Sequence, residues 1–118
     1  MIFEGDALAL ADLTQPFWKA AWWPDIRYHA KFPQGTEPVN TWWHEGRDPD
    51  DAVSTDTAAA VIFSAAFEQL SECYFIKDTH PFNHVEYRAM RREREMDDWL
   101  GTGPSMLHAV LAAVEGVG

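Results

Sequence analysis

Cysteine is nearly missing from this chain: Cys73 is the only one in 118 residues. No internal disulfide can form, and the usage suits a reducing compartment. Positive charge is also scarce, because 9 Lys and Arg face 19 Asp and Glu, a formal net charge of -10. A field of that sign makes bare nucleic acid and anionic lipid poor partners. No uninterrupted apolar stretch approaches the roughly 18 residues that suggest a membrane span. The start, Met1-Ile2-Phe3-Glu4-Gly5-Asp6, is acidic and lacks the basic and apolar regions of a secretory signal. The expected location is therefore cytoplasmic. Glycine-rich phosphate loops, a serine elbow and zinc-finger cysteine sets are all missing, so no catalytic residue, cofactor or metal is expected.

What the chain does have is enough apolar material to fold. Hydrophobic residues make up 47% of it, and six tryptophans supply large rigid surfaces. Its length suits one core, so residues 1–118 are expected to form a single domain.

Local patterns predict a mainly α fold, a small bundle of about five helices with a short β-hairpin. Asp6 caps a first helix running to Leu13, and Thr14 with Pro16 opens a second over Phe17 to Trp23, stopped by Pro24. Phe17, Trp18, Ala21 and Trp22 would share its buried side. Ile26 to Phe32 alternates apolar with polar residues, the period of a strand with one wet face. Val39 to His44 is a suitable antiparallel partner for it. Asp48-Pro49-Asp50-Asp51 reads as a helix start, with Ser54-Thr55-Asp56 as an interruption or a second cap. Thr57 to Ile76 then looks like a long central helix, with Phe63, Ala66, Phe67, Leu70, Cys73 and Tyr74 at helical spacing. After a break from Lys77 to Pro81, a further helix is expected to reach Leu100 and end at Gly101. Its narrow stripe is Val85, Ala89, Met96 and Leu100, and Arg91 with Glu95 and Arg94 with Asp98 are spaced as surface ion pairs. Pro104-Ser105 restarts a last apolar helix from Met106 to Val114.

Four features are candidates for function. Residues 45 to 72 carry Glu45, Asp48, Asp50, Asp51, Asp56, Glu68 and Glu72 against Arg47 alone, so 1 minus 7 places -6 of the charge in one segment. Such a segment can dock on a basic surface, or serve only as a solvated face with helix caps. In a strand, Trp42 and Trp43 must face opposite sides, which makes one of them an interface anchor unless helices cover both faces. His80 and His84 would share a helix face at metal-ligand spacing, with no third ligand fixed. Cys73, on the apolar side of the central helix, would be a buried and inert thiol.

The reading that follows is a non-enzymatic acidic module that binds protein. Glu45, Asp48, Asp50, Asp51, Asp56, Trp42 and Trp43 are its expected partner-binding residues, and its partner the basic, nucleic-acid-binding surface of a larger protein or nucleoprotein complex. In size and charge, though in no motif, the chain is similar to the DNA mimics and anti-CRISPR inhibitors of phages, which implies a viral inhibitor. Two alternatives stay open: a self-associating assembly protein built on its tryptophans and arginines, and a small metal or thiol enzyme centred on His80, His84 and Cys73.

Overall fold

The computed structural model describes residues 2–28, 42–47, 51–80, 84–93 and 96–117. Among them are three α-helices and five strands, the strands in two antiparallel sheets. The protein is therefore α+β, and the expected helical bundle is incorrect. The chain divides into two compact units, Gly5–Ile62 and Met1–Glu4 with Phe63–Gly118, taken here one at a time.

In the first unit, helix α1 (Ala7–Thr14) starts where its cap predicts, with the Asp6 carboxylate accepting the Ala9 N–H at 2.8 Å. It buries Leu10, Ala11 and Thr14. The Thr14 hydroxyl turns back to donate to the Leu10 carbonyl at 2.8 Å, a bond that competes with further helical turns. No α-helix follows. A short 3-10 turn, Gln15–Phe17, leads into successive i to i+3 bonds from Trp18 to Gln15, Ala20 to Phe17 and Trp23 to Ala20. The expected buried side does not form, since Trp18 and Ala21 are exposed and Phe17 and Trp22 half-buried.

Strand β1 (Ile26–Tyr28) pairs antiparallel with β2 (Trp42–His44), with Ile26 opposite His44 and Tyr28 opposite Trp42. The rest of the two expected strands lies outside the described residues. Trp42 is wholly buried and its ring meets Tyr28 at 5.5 Å, whereas Trp43, on the other face, is half-buried. Among the described residues the buried Trp42 Nε1 has no acceptor. An isolated bridge joins Trp42 to Val53, whose N–H donates to the Trp42 carbonyl at 2.6 Å. Helix α2 (Thr55–Phe67) starts here, its first turn capped by Ser54 Oγ, which accepts the Thr57 N–H at 3.2 Å. Of the expected start, Asp48 to Asp50 lie outside the described residues and Asp51 to Ser54 form no α-helix.

The second unit corrects the largest error of the sequence reading. Helix α2 stops at Phe67, and after a turn that puts Glu72 at φ 57° the chain enters strand β3 (Cys73–His80). A left-handed residue other than glycine costs about 1–2 kcal/mol, and this one sits at the end of the turn, directly before β3. Tyr74, Phe75 and Ile76 are strand formers whose spacing also fits a helix. The expected helix up to Leu100 is instead strand β4 (His84–Glu93) followed by β5 (Met96–Gly103), giving the sheet order β3-β4-β5. The charges that predict helical ion pairs suit the hairpin equally well, because the register sets Arg91 opposite Asp98 and Arg92 opposite Asp97.

Helix α3 (Met106–Val117) forms as expected and runs three residues further. Leu107, Ala109, Val110, Leu111, Ala113 and Val114 are all buried, which makes it the most enclosed element described. It reaches the sheet through Gly101 and Gly103, where a Cβ on Gly101 would stand 2.5 Å from the Ala109 carbonyl oxygen. Gly101, expected to end a helix, is thus a strand residue that lets a helix come close. Cross-strand pairing puts Ala89 and Phe75 on the same face, and Phe75 meets Phe63 at 5.5 Å and Phe67 at 5.9 Å. The end of α2 and all of α3 therefore cover one face of the sheet.

Gly101→Ala should destabilise the protein by about 2–3 kcal/mol, since its Cβ meets backbone atoms that cannot swing aside. Urea unfolding followed by circular dichroism measures this.

Candidate docking surface

The acidic residues of the Gly5–Ile62 unit are placed by its strand pair and by the start of α2. The Glu45 N–H donates to the Asp25 carbonyl at 2.9 Å, which fixes the chain just past β2. An isolated antiparallel bridge ties Val53 to Trp42 just ahead of α2, and Asp56 follows in the first turn of that helix. Glu45, Asp51 and Asp56 are exposed, as are Asp6, Asp12 and Asp25. Glu45 is ion-paired with Arg27 at 3.0 Å, with both side chains substantially exposed to water. Such a pair contributes little to stability and leaves the carboxylate open to exchange partners. Asp48 and Asp50 lie outside the described residues.

Beside this surface is a cleft of about 180 Å³ lined by Trp18, Trp23, Ile26, Arg27 and Tyr28. The indole N–H of Trp18 donates to Thr14 Oγ1 at 3.1 Å and that of Trp23 to the Ile26 carbonyl at 3.0 Å. Both rings are thus fixed through their polar edge. The Arg27 guanidinium is likewise committed, to the carbonyls of Pro24 and Ile26 and to Glu45. Ring faces next to exposed Asp25 and Glu45 suit an incoming guanidinium or ammonium group. Sequence reasoning places Trp18 and Trp23 in a helix and Ile26, Arg27 and Tyr28 in a strand without bringing the five together; the Trp22-Trp23 pair next to Pro24 is the nearest signal. Of the expected anchors, Trp42 is core, and Trp43 is half-buried opposite Arg27.

The other candidates lie in the second unit and are arranged differently than expected. His80 and His84 do not share a helix face; they are register partners at the ends of β3 and β4. Among the described residues no group of three or more His, Cys, Asp or Glu is placed to hold a metal. Cys73 opens β3 half-buried rather than lying on a helix, and burial raises its thiol pKa against smaller lowering effects of the Met90 backbone and Arg91. That favours the thiol over the reactive thiolate.

Sequence reasoning misses one polar pair. Ser105 Oγ lies 2.6 Å from His108 Nδ1 and accepts the His108 N–H at 3.1 Å. Ser105 also lines a cleft of about 260 Å³ with Glu4, Lys77, Val85, Tyr87 and Pro104. The arrangement caps α3: the Leu107 N–H is spent on the Ile2 carbonyl and the His108 N–H on Ser105, so neither is left to hold an oxyanion. Burial lowers the His108 pKa, which favours the neutral ring beside Ser105.

Among the described residues no helix is long and apolar enough to cross a membrane. Comparison with protein families, curated proteins and solved structures finds no match to this chain.

The His108 cap should make stability depend on pH. With its folded pKa below the unfolded value near 6.5, the unfolded chain binds the proton more readily, so stability is full above about pH 6.5 and falls as pH drops through that value. His108→Gln should flatten the fall in melting temperature between about pH 7 and pH 5, as a calorimetric series on both proteins would show.

Proposed function

We propose that this chain is a non-enzymatic docking protein that occupies a basic, nucleic-acid-binding surface of a larger protein or nucleoprotein complex. The observation that carries this reading is that all six carboxylates described in the Gly5–Ile62 unit are exposed: Asp6, Asp12, Asp25, Glu45, Asp51 and Asp56. The described bases of the same unit are Lys19, Arg27 and Arg47, so 3 minus 6 gives -3, and Arg27 is already engaged by Glu45. An uncompensated set of carboxylates held on ordered backbone attracts a basic surface over several ångströms and speeds the encounter. Its spacing is fixed by the bridge at Val53 and the start of α2, so little ordering entropy is lost on docking.

The aromatic cleft gives the contact a short-range part. An arginine or lysine from the partner can lay its cation against Trp18, Trp23 or Tyr28 while Asp25 and Glu45 balance its charge. Field and cleft together favour a protein surface that itself holds phosphates, and nucleic acid then competes for the same place.

Capture of the tagged protein's partner from the native host lysate at low salt tests this. Salt should elute a basic nucleic-acid-binding complex, and added duplex DNA should displace it. The combined substitutions Asp48→Lys, Asp50→Lys, Asp51→Lys and Asp56→Lys should weaken the complex by at least about tenfold, because charge reversal within one acidic segment acts on encounter and affinity together. Undiminished binding by the folded quadruple variant overturns the proposal.

A further inference from the structure

The second face of the β3-β4-β5 sheet carries exposed apolar side chains, Tyr74, Ile76 and Trp99, around Met90, which is buried. Because residues opposite one another across strands share a face, the rows of this face can be read from the register. Tyr74, Met90 and Trp99 form one row, Ile76, Arg88 and Thr102 the next. Asp78 with Glu86 lies at one end and Arg92 with Asp97 at the other. Of the five large hydrophobic side chains exposed among the described residues, three fall on this face: Tyr74 at 36%, Ile76 at 40% and Trp99 at 59%. Clustering of that kind on one flat face marks an interaction site rather than scattered surface apolarity.

A bulge in β5 creates the row. The register steps from Ala89 opposite Gly101 to Met90 opposite Trp99, which leaves Leu100 as the extra residue. Trp99 and Gly101, two apart, would ordinarily share a face; the extra residue turns the tryptophan to the open side while the glycine seats α3. The ring is also fixed in place. The Arg88 guanidinium lies 4.3 Å from its centroid and is anchored by Asp78 at 2.8 Å and Glu86 at 3.5 Å.

We propose that this face is where two copies of the chain pack together, sheet against sheet, about a two-fold axis. The charge distribution selects a second copy over a basic partner. Among the described side chains this face holds Arg88 and Arg92 against Asp78 and Glu86, 2 minus 2 or 0, in a chain of net charge -10. It is the near-neutral part of an acidic molecule, the place where two copies meet with least repulsion. A two-fold axis in the plane of the interface and across the strands reverses strand direction. It lays exposed Arg92 of one copy towards Asp78 and Glu86 of the other and sets the Tyr74-Met90-Trp99 row of each copy against the Ile76-Arg88-Thr102 row of the other. Sheets meeting in this way pack about 10 Å apart, with side chains such as tryptophan filling the gap. This contact stands on the Phe63–Gly118 unit and is independent of the acidic docking surface.

Sedimentation equilibrium of the full chain, from micromolar to near-millimolar concentration and at low and high salt, tests it. A monomer–dimer equilibrium is expected that tightens as salt rises, because salt screens the repulsion between two acidic copies. That is the reverse of the salt response of docking on a basic surface. Trp99→Glu should raise the dimer dissociation constant by at least about tenfold, as loss of an interface anchor does. Its melting temperature should stay near that of the parent, since the ring is mostly in water. Arg92→Glu should raise the constant by a smaller factor. A wild-type chain that remains monomeric throughout overturns the proposal and leaves the face to a different protein; a dimer unaffected by Trp99→Glu overturns it by placing self-association elsewhere.

Discussion

The sheet of the second unit depends on how close a helix can come to it. Helix α3 lies against β5 where the strand offers Gly101 and Gly103 and the helix offers Ala109, Ala112 and Ala113. With so little side chain between them, backbone approaches backbone, and dispersion contacts accumulate at near-crystal density. One face of β3-β4-β5 is thereby sealed by α3 together with the phenylalanines at the end of α2. The other face is free to carry Arg88, Trp99 and their neighbours, because nothing of the helix seam depends on them.

Both ends of the chain are legible in the sequence. Asp6 before an alanine-rich run and Pro104-Ser105 before an apolar run are local signals, and local signals suffice where a helix is set by its cap and its own spacing. The same holds for the pairing of Ile26–Tyr28 with Trp42–His44, which alternation announces. The stretch from Phe67 to Gly101 is not legible in this way. Its apolar residues fit a period of either two or 3.6, and its alternating charges make ion pairs four apart on a helix or opposite one another across a hairpin. Only pairing between β3, β4 and β5 decides, and a non-local choice leaves no mark within a short window. The candidate site divides likewise. Exposed acids can be read from composition, whereas the cleft around Trp18, Trp23 and Tyr28 exists only because a turn brings separate residues together.

The two compact units have different surface chemistry. The Gly5–Ile62 unit presents carboxylates next to aromatic rings whose polar edges are already bonded, so what it offers a partner is negative field and ring face. The Phe63–Gly118 unit presents a nearly balanced, apolar sheet face ringed by residues of both signs. Field-driven and area-driven contacts respond oppositely to ionic strength.

The extra residue at Leu100 has a genetic consequence. By letting consecutive stretches of β5 face opposite ways, it separates what selection can act on: the helix seam tolerates almost no change at Gly101, while Trp99 can drift without disturbing it. Loss of that single codon would rotate the outer half of the strand and merge the two constraints, so in descendants of this gene a short deletion at Leu100 should be rarer than substitutions at Trp99.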